Sequence, residues 1–149
     1  MKQENLAFAD IELCDEAVSV ASEPAEVDII DLQVTKTADC QYAVVGGKIC
    51  YTVTIFNNSD VNFVGDREDD EMGGVIFRDP LTSNLEYIPG TFTYTIDCGE
   101  PDPTPVQVEP NIDTDNVMTY DSLEIPAGCT AIVKFCVKVK SAPETPPTP

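Results

Sequence analysis

From Ile30 to Val139 the apolar residues of this chain recur at every second position in short runs, and nowhere do they take up a convincing helical period. Strand side chains point alternately to opposite faces, so this pattern builds half-buried sheets. Ile30, Leu32 and Val34 alternate with Asp31, Gln33 and Thr35 as a first strand. Gly46-Gly47 leads into a second, Ile49 to Phe56, with Ile49, Tyr51, Val53 and Ile55 on one face and Asn57-Asn58-Ser59-Asp60 as its turn. Val75-Ile76-Phe77 ends at Asp79-Pro80. Leu85 to Ile88, Thr91 to Ile96 and Val117 to Leu123 follow, and Pro126-Ala127-Gly128 turns the chain into Ala131 to Val139. Gly99 to Pro110, with four prolines, reads as an exposed loop. The expected class is all-β: one β-sandwich domain over 27–140, an extended N-terminal arm over 1–26 and a Pro/Thr tail over 141–149.

The arm is acidic, with apolar residues in alternating pairs: Leu6/Phe8, Ile11/Leu13 and Val18/Val20. Each pair suits one side of an extended strand, and the charge and small residues equally permit a disordered acidic tail. Net charge is -19, with 27 acidic against 8 basic residues among 149. Such a field repels nucleic-acid phosphate and anionic lipid, which excludes a nucleic-acid partner. No apolar run approaches the roughly 20 residues that span a bilayer, so no membrane insertion is expected. No signal-peptide core precedes the acids around Asp10 and Glu16, and an export route is not visible.

Six cysteines stand beside no histidine. Zinc sites favour clustered cysteines, whereas Cys14, Cys40, Cys50, Cys98, Cys129 and Cys136 are dispersed. Dispersed cysteines in even number favour disulfides and an oxidising compartment, with small buried thiols as the alternative. Cys50 and Cys136 each fall between inward residues of their strands and so point off the core. If these strands pair antiparallel with Lys48 opposite Lys138, Cys50 faces Cys136. Cys14, alone in the arm, is the candidate for a link between subunits. Asp66, Asp69 and Asp70, or Asp113 and Asp115, offer oxygen ligands for calcium, although neither set matches an EF-hand and a solvated acidic loop accounts for both. No other cofactor is implied. For catalysis the inventory is poor: no histidine, no nucleophile beside a base and no phosphate-cradling loop, so no enzyme is expected.

Taken in order, Asp31-Leu32-x-Val34-x-Lys36, Gly47-x-x-x-Tyr51-Thr52-Val53-Thr54-Ile55-x-Asn57, Val75-x-Phe77-x-Asp79-Pro80-Leu81, Leu85-x-Tyr87 with Pro89-Gly90, and Leu123-x-Ile125-Pro126-Ala127-Gly128 with a final alternating strand make a set. That set resembles the repeat of bacterial surface proteins called domain of unknown function eleven, over residues 31 to 139. The resemblance implies an immunoglobulin-like sandwich and an extracellular structural role without catalysis. It also implies one more strand after the last, usually bearing Asn-Thr-Ala, where this sequence turns to Ser141-Ala142-Pro143.

A sandwich short of one strand exposes an edge that invites strand addition. The arm is the spare strand, and a head-to-tail contact of this kind propagates as an open filament. Surface proteins of related build carry a self-formed amide bond between a first-strand lysine and a last-strand asparagine. Lys36 holds the family's lysine position and no asparagine follows Asn116, which argues against an internal bond. Asn5-Leu6-Ala7 could imitate the absent motif in a neighbour, although lysine and asparagine are common without bonding. The expected function is a subunit of a self-assembling filament, a pilus-like appendage on the cell or spore surface, whose partner is itself. A lone binding or spacer module and a phage or capsid decoration domain are the alternatives.

Overall fold

The computed structural model describes residues 2–14, 16–65 and 73–141, and the regular structure among them is strand throughout. Four strands form at the amino-terminal end: β1 (Lys2–Asn5), β2 (Phe8–Leu13), β3 (Glu16–Ala21) and β4 (Ala25–Asp28). The remainder comprises β5 (Leu32–Ala38), β6 (Lys48–Asn57), β7 (Val75–Pro80), β8 (Leu85–Tyr87), β9 (Thr93–Asp97), β10 (Val106–Gln107), β11 (Asn111–Ile112), β12 (Val117–Leu123) and β13 (Thr130–Val139). These nine make a sandwich. One sheet has the order β10-β9-β13-β6-β5, with β8 also on β13, and the other the order β11-β12-β7.

β13 is central because its alternation is the most complete. Ala131, Val133, Phe135, Val137 and Val139 are all buried, while β6 flanks its whole length on one side and β9 then β8 on the other. Against this strand Phe77 and Phe92 pack edge-on at 5.7 Å, and Phe135 lies 6.2 Å from Phe77. Such aromatic contacts add to the burial of area that drives the two sheets together.

The second sheet supplies Met118, Leu123 and Phe77 to the same core. β7 continues through Pro80, where the sequence suggested a stop. Pro80 lies opposite Val117, and a residue without an amide hydrogen is tolerated because β7 is an edge strand.

Asn57 is fully buried at the end of β6, and its amide is saturated. Nδ2 donates to the carbonyls of Val61 at 2.8 Å and Ile125 at 3.0 Å, and Oδ1 accepts from the backbone and hydroxyl of Ser59. It thereby ties two connections, the one after β6 and the one before β13, to one strand end, which offsets the cost of burying an amide. The turn into β13 closes with the Cys129 amide donating to the Pro126 carbonyl, and Gly128 takes the positive φ of 75° that this turn requires.

Two disulfides fasten the first sheet. Cys50 and Cys136 are directly opposite on β6 and β13, with Cα atoms 4.0 Å apart. Their backbone groups bond away from each other: the Cys136 amide donates to the Thr91 hydroxyl and its carbonyl accepts from Ile88, while Cys50 makes both its bonds with Asp39. This is the non-hydrogen-bonded kind of antiparallel pair, in which side chains come closest. Cys98 and Cys129 join the ends of β9 and β13, with Cα atoms 4.5 Å apart. Closing the longer loop restricts the unfolded chain by about 4 to 5 kcal/mol in the entropic picture, and the second, nested within it, adds less than it would alone.

The amino-terminal segment is not the single extended strand expected from its pairs. It folds back on itself as an antiparallel ribbon, β2 on β3 and β1 on β4, reaching Asp28 rather than ending at Glu26. Two residues separate β1 from β2 and three separate β3 from β4, so the register shifts by one between the two pairings. Across that bulge the Ser22 amide donates to the Ala7 carbonyl at 2.8 Å, and the Ala7 amide donates to the Ser22 hydroxyl at 3.0 Å. Pro24, which has no amide hydrogen, falls in the irregular stretch.

Candidate functional site

On one side of the sandwich β5 ends the first sheet and β7 ends the second, and among the described strands neither has a partner on its outer edge. Between the two edges lies a groove of about 390 Å³. Its β5 wall is Leu32, Val34 and Lys36, its floor Val53 and Ile55 of β6, and its other wall Val75 to Asp79 of β7. The side chains of β5 at these positions face inward, since Val34 stands opposite Ile55 and Lys36 opposite Val53. Yet Val34 is 61% exposed while Ile55 is 4% exposed. An apolar residue on the core face is thus left uncovered, because the second sheet stops at β7.

At one end of the groove the Lys36 ammonium spans the gap to Asp79, Nζ to Oδ2 at 2.6 Å, and sits 4.3 Å from the centroid of the Tyr51 ring. A lysine that shares a strand face with Leu32 and Val34 needs an anion and an aromatic face to accept its charge. Asp79 and Tyr51 provide them. Burial, followed by the charges of Asp79 and Cys40, pushes the Tyr51 phenol up from its usual range. Ala38 at the end of β5 stands opposite Tyr51, so Cys40, two residues further on, lies at this same end of the groove.

Cys14 and Cys40 are the free thiols, both exposed. Cys14 occupies the reversal of the ribbon between Leu13 and Glu16, and Cys40 follows the last residues of β5. The Cys40 thiol is pushed up, first by desolvation and then by its hydrogen bond to and the charge of Asp39. Beside it the connection to β6 exposes Tyr42 at 88%, Val44 at 75% and Val45 at 59%. These three apolar side chains lie within four residues of one another, and nothing described covers them.

The arm residues divide between the strands of the ribbon. Leu6 and Phe8 are exposed at its middle, and Val18 and Val20 are exposed on one face of β3. Ile11 lies opposite Val18 and Leu13 opposite Glu16 in the ladder, and the side chains of Ile11 and Leu13 fall outside the described atoms. Asn5, the residue of the Asn5-Leu6-Ala7 stretch, is paired with Ala25.

Of the calcium candidates, Asp66, Asp69 and Asp70 lie outside the described residues, as does the tail from Ala142 onward. Asp113 Oδ1 accepts from the amides of Asp115 and Val117, both at 2.9 Å, so this carboxylate already terminates a turn. Among the described residues no cluster of three acids or cysteines is arranged to hold a metal ion. Nor is any helix among them long and apolar enough to cross a membrane.

The fold and site together define an all-β sandwich with an open edge groove, an appended ribbon and two disulfides of the kind that persist in an oxidising setting. Comparison of the chain with family models, with curated proteins and with solved structures returned no match.

Proposed function

We propose that this chain is a structural subunit of a self-assembling filament on the outside of a cell or spore, in which the ribbon of one copy docks at the open groove of the next. The carrying observation is the uncovered inner face of β5, with Val34 exposed above the buried Ile55. A strand added there gains main-chain hydrogen bonds along an unpaired edge and covers apolar surface. The ribbon is the complementary part: it exposes Leu6, Phe8, Val18, Val20 and Val27.

In this reading the sandwich is immunoglobulin-like in the sense of the surface-protein repeat it resembles, and its work is mechanical rather than catalytic. The two intrachain disulfides suit it, since each restricts the unfolding of a subunit that must bear load. A chain carrying -19 repels its own copies, so the joint has to be short-ranged and apolar.

The test is deletion of residues 1–28. The truncated protein should be a folded monomer by light scattering that caps growing filaments of the full chain, and the full chain should form fibres in negative-stain micrographs. Fibres of ordinary length from the truncated protein would remove the ribbon from the joint. A full chain that stays monomeric, with its ribbon cut by protease as fast as an unstructured linker, would make it a lone spacer module.

A further inference from the structure

We infer that Cys14 of one copy and Cys40 of the next form the disulfide that seals each joint, with β3 lying antiparallel along the outer edge of β5. This rests on the filament reading above. Four of the six cysteines are consumed in Cys50–Cys136 and Cys98–Cys129, which leaves one thiol on the ribbon and one on the sandwich.

The register follows from which side chains must face inward. On β5 these are Val34 and Lys36, opposite Ile55 and Val53. On β3 the exposed apolar pair is Val18 and Val20. Antiparallel pairing that sets Val20 opposite Val34 sets Val18 opposite Lys36 and Glu16 opposite Ala38. The reversal bearing Cys14 then comes level with Asp39 and Cys40. One choice of register therefore covers the uncovered valine, lays Val18 along the lysine stem and juxtaposes the two spare thiols. A slip by one residue would turn both valines outward.

Lengths agree, since β3 has 6 residues and β5 has 7. The exposed connection with Tyr42 and Val44 lies immediately beyond Cys40, where the ribbon tip arrives, so it is surface that the same contact covers. A copy's own tip is poorly placed for this contact. Ribbon pairing continues from the Cys14 reversal to Asp28, a span of roughly 45 Å at strand rise, and so carries the tip away from the base that joins its own β5.

Bond formation removes one proton and one electron from each thiol and makes one sulfur–sulfur bond. A small-molecule disulfide takes up both protons and both electrons and leaves as two thiols. Docking raises the effective concentration of one thiol at the other to about the millimolar range, so exchange between docked copies should run roughly a hundredfold faster than between undocked chains at ten micromolar.

The experiment uses full chains with Cys14→Ser, Cys40→Ser or both, incubated with glutathione disulfide and read on non-reducing gels with peptide mapping. Wild type should give a ladder containing the Cys14–Cys40 peptide. Each single variant alone should stay uncrosslinked, and an equal mixture of the two should give one covalent dimer. Dimers from either single variant alone, a Cys14–Cys40 bond within a monomer, or assembled wild type with both thiols free would each overturn the link.

Light scattering of the double serine variant separates the two readings. If it assembles, strand docking stands whatever the gels show. If it does not assemble while the mixture crosslinks, the disulfide is the joint and the strand-docking reading falls. Wild type that stays monomeric throughout removes both.

Discussion

The Lys36 ammonium bonds the Asp79 carboxylate across the gap between the two edge strands, and the pair is lopsided: the lysine side chain is 40% exposed and the aspartate 11%. The aspartate therefore depends on the lysine for much of what water would have given it. Removing the exposed partner strands the buried one, the costly way to break an ion pair. Lys36→Met should lower stability by about 2 kcal/mol, short of the fully buried case because water still reaches the site. Lys36→Met with Asp79→Leu should recover most of that loss. Urea midpoints of the three proteins decide it. A single variant as stable as wild type would mean that the pair is incidental to the fold.

Val34 offers a cleaner separation of fold from joint. In the isolated chain it is already exposed, so Val34→Asp should change monomer stability by no more than about 0.5 kcal/mol. In an assembled chain the new charge would be buried without a partner, which costs several times that and should abolish fibres. Thermal unfolding and light scattering on the same sample test both halves. Normal fibres from this variant would move the joint away from the β5 edge.

Salt should favour assembly. Chains carrying -19 each must approach within a few ångströms, and the screening length falls from about 30 Å at 10 mM salt to about 8 Å at 150 mM. The critical concentration for fibre growth, followed by sedimentation, should drop across that range and then flatten. A rise with salt would show instead that attraction between charges, not covered apolar surface, holds the copies together.

Much of the sandwich was legible because its strands are amphipathic with period two. Val133, Phe135, Val137 and Val139 could only be the inner face of a strand, and the register that sets Lys48 opposite Lys138 carries Cys50 opposite Cys136, as found. The same logic held the second disulfide. β9 also pairs with β13, setting Asp97 opposite Thr130, and one step further Cys98 meets Cys129. It was missed because nothing local says that β9 is the other neighbour of β13.

The ribbon was harder to see, since its alternation is as good for one long strand as for a hairpin. The reversal between Leu13 and Glu16 carries no glycine or proline to mark it. Lys36 announced itself in retrospect, as a charge on an otherwise apolar strand face. Its counterion, Asp79, lies on the other sheet, beyond the reach of any periodicity.

Alkaline pH should unfold this protein through its tyrosines. Burial pushes the Tyr120 phenol up to about 12, helped by its hydrogen bond with Tyr94. Tyr87 is raised by burial and by its bond to Glu109, and Tyr51 by burial and the charge of Asp79. In the unfolded chain all three ionise near their ordinary value of about 10. Between about pH 10 and 12 the unfolded state thus loses protons that the folded state keeps, and stability falls as pH rises. The stabilisation is fully present below pH 10, about the unfolded value, and gone above the folded values. The slope is at most about 1.4 kcal/mol per pH unit for each tyrosine, less where solvent reaches the ring. Measurements belong on the Cys14→Ser, Cys40→Ser background, so that free thiolates do not attack the two disulfides. Urea midpoints should hold steady from neutral pH to about 9 and then decline. Tyr120→Phe should make that decline shallower. An unchanged slope in Tyr120→Phe, or tyrosinate absorption saturating near pH 10 in the still-folded protein, would mean that these rings are not shielded by the core.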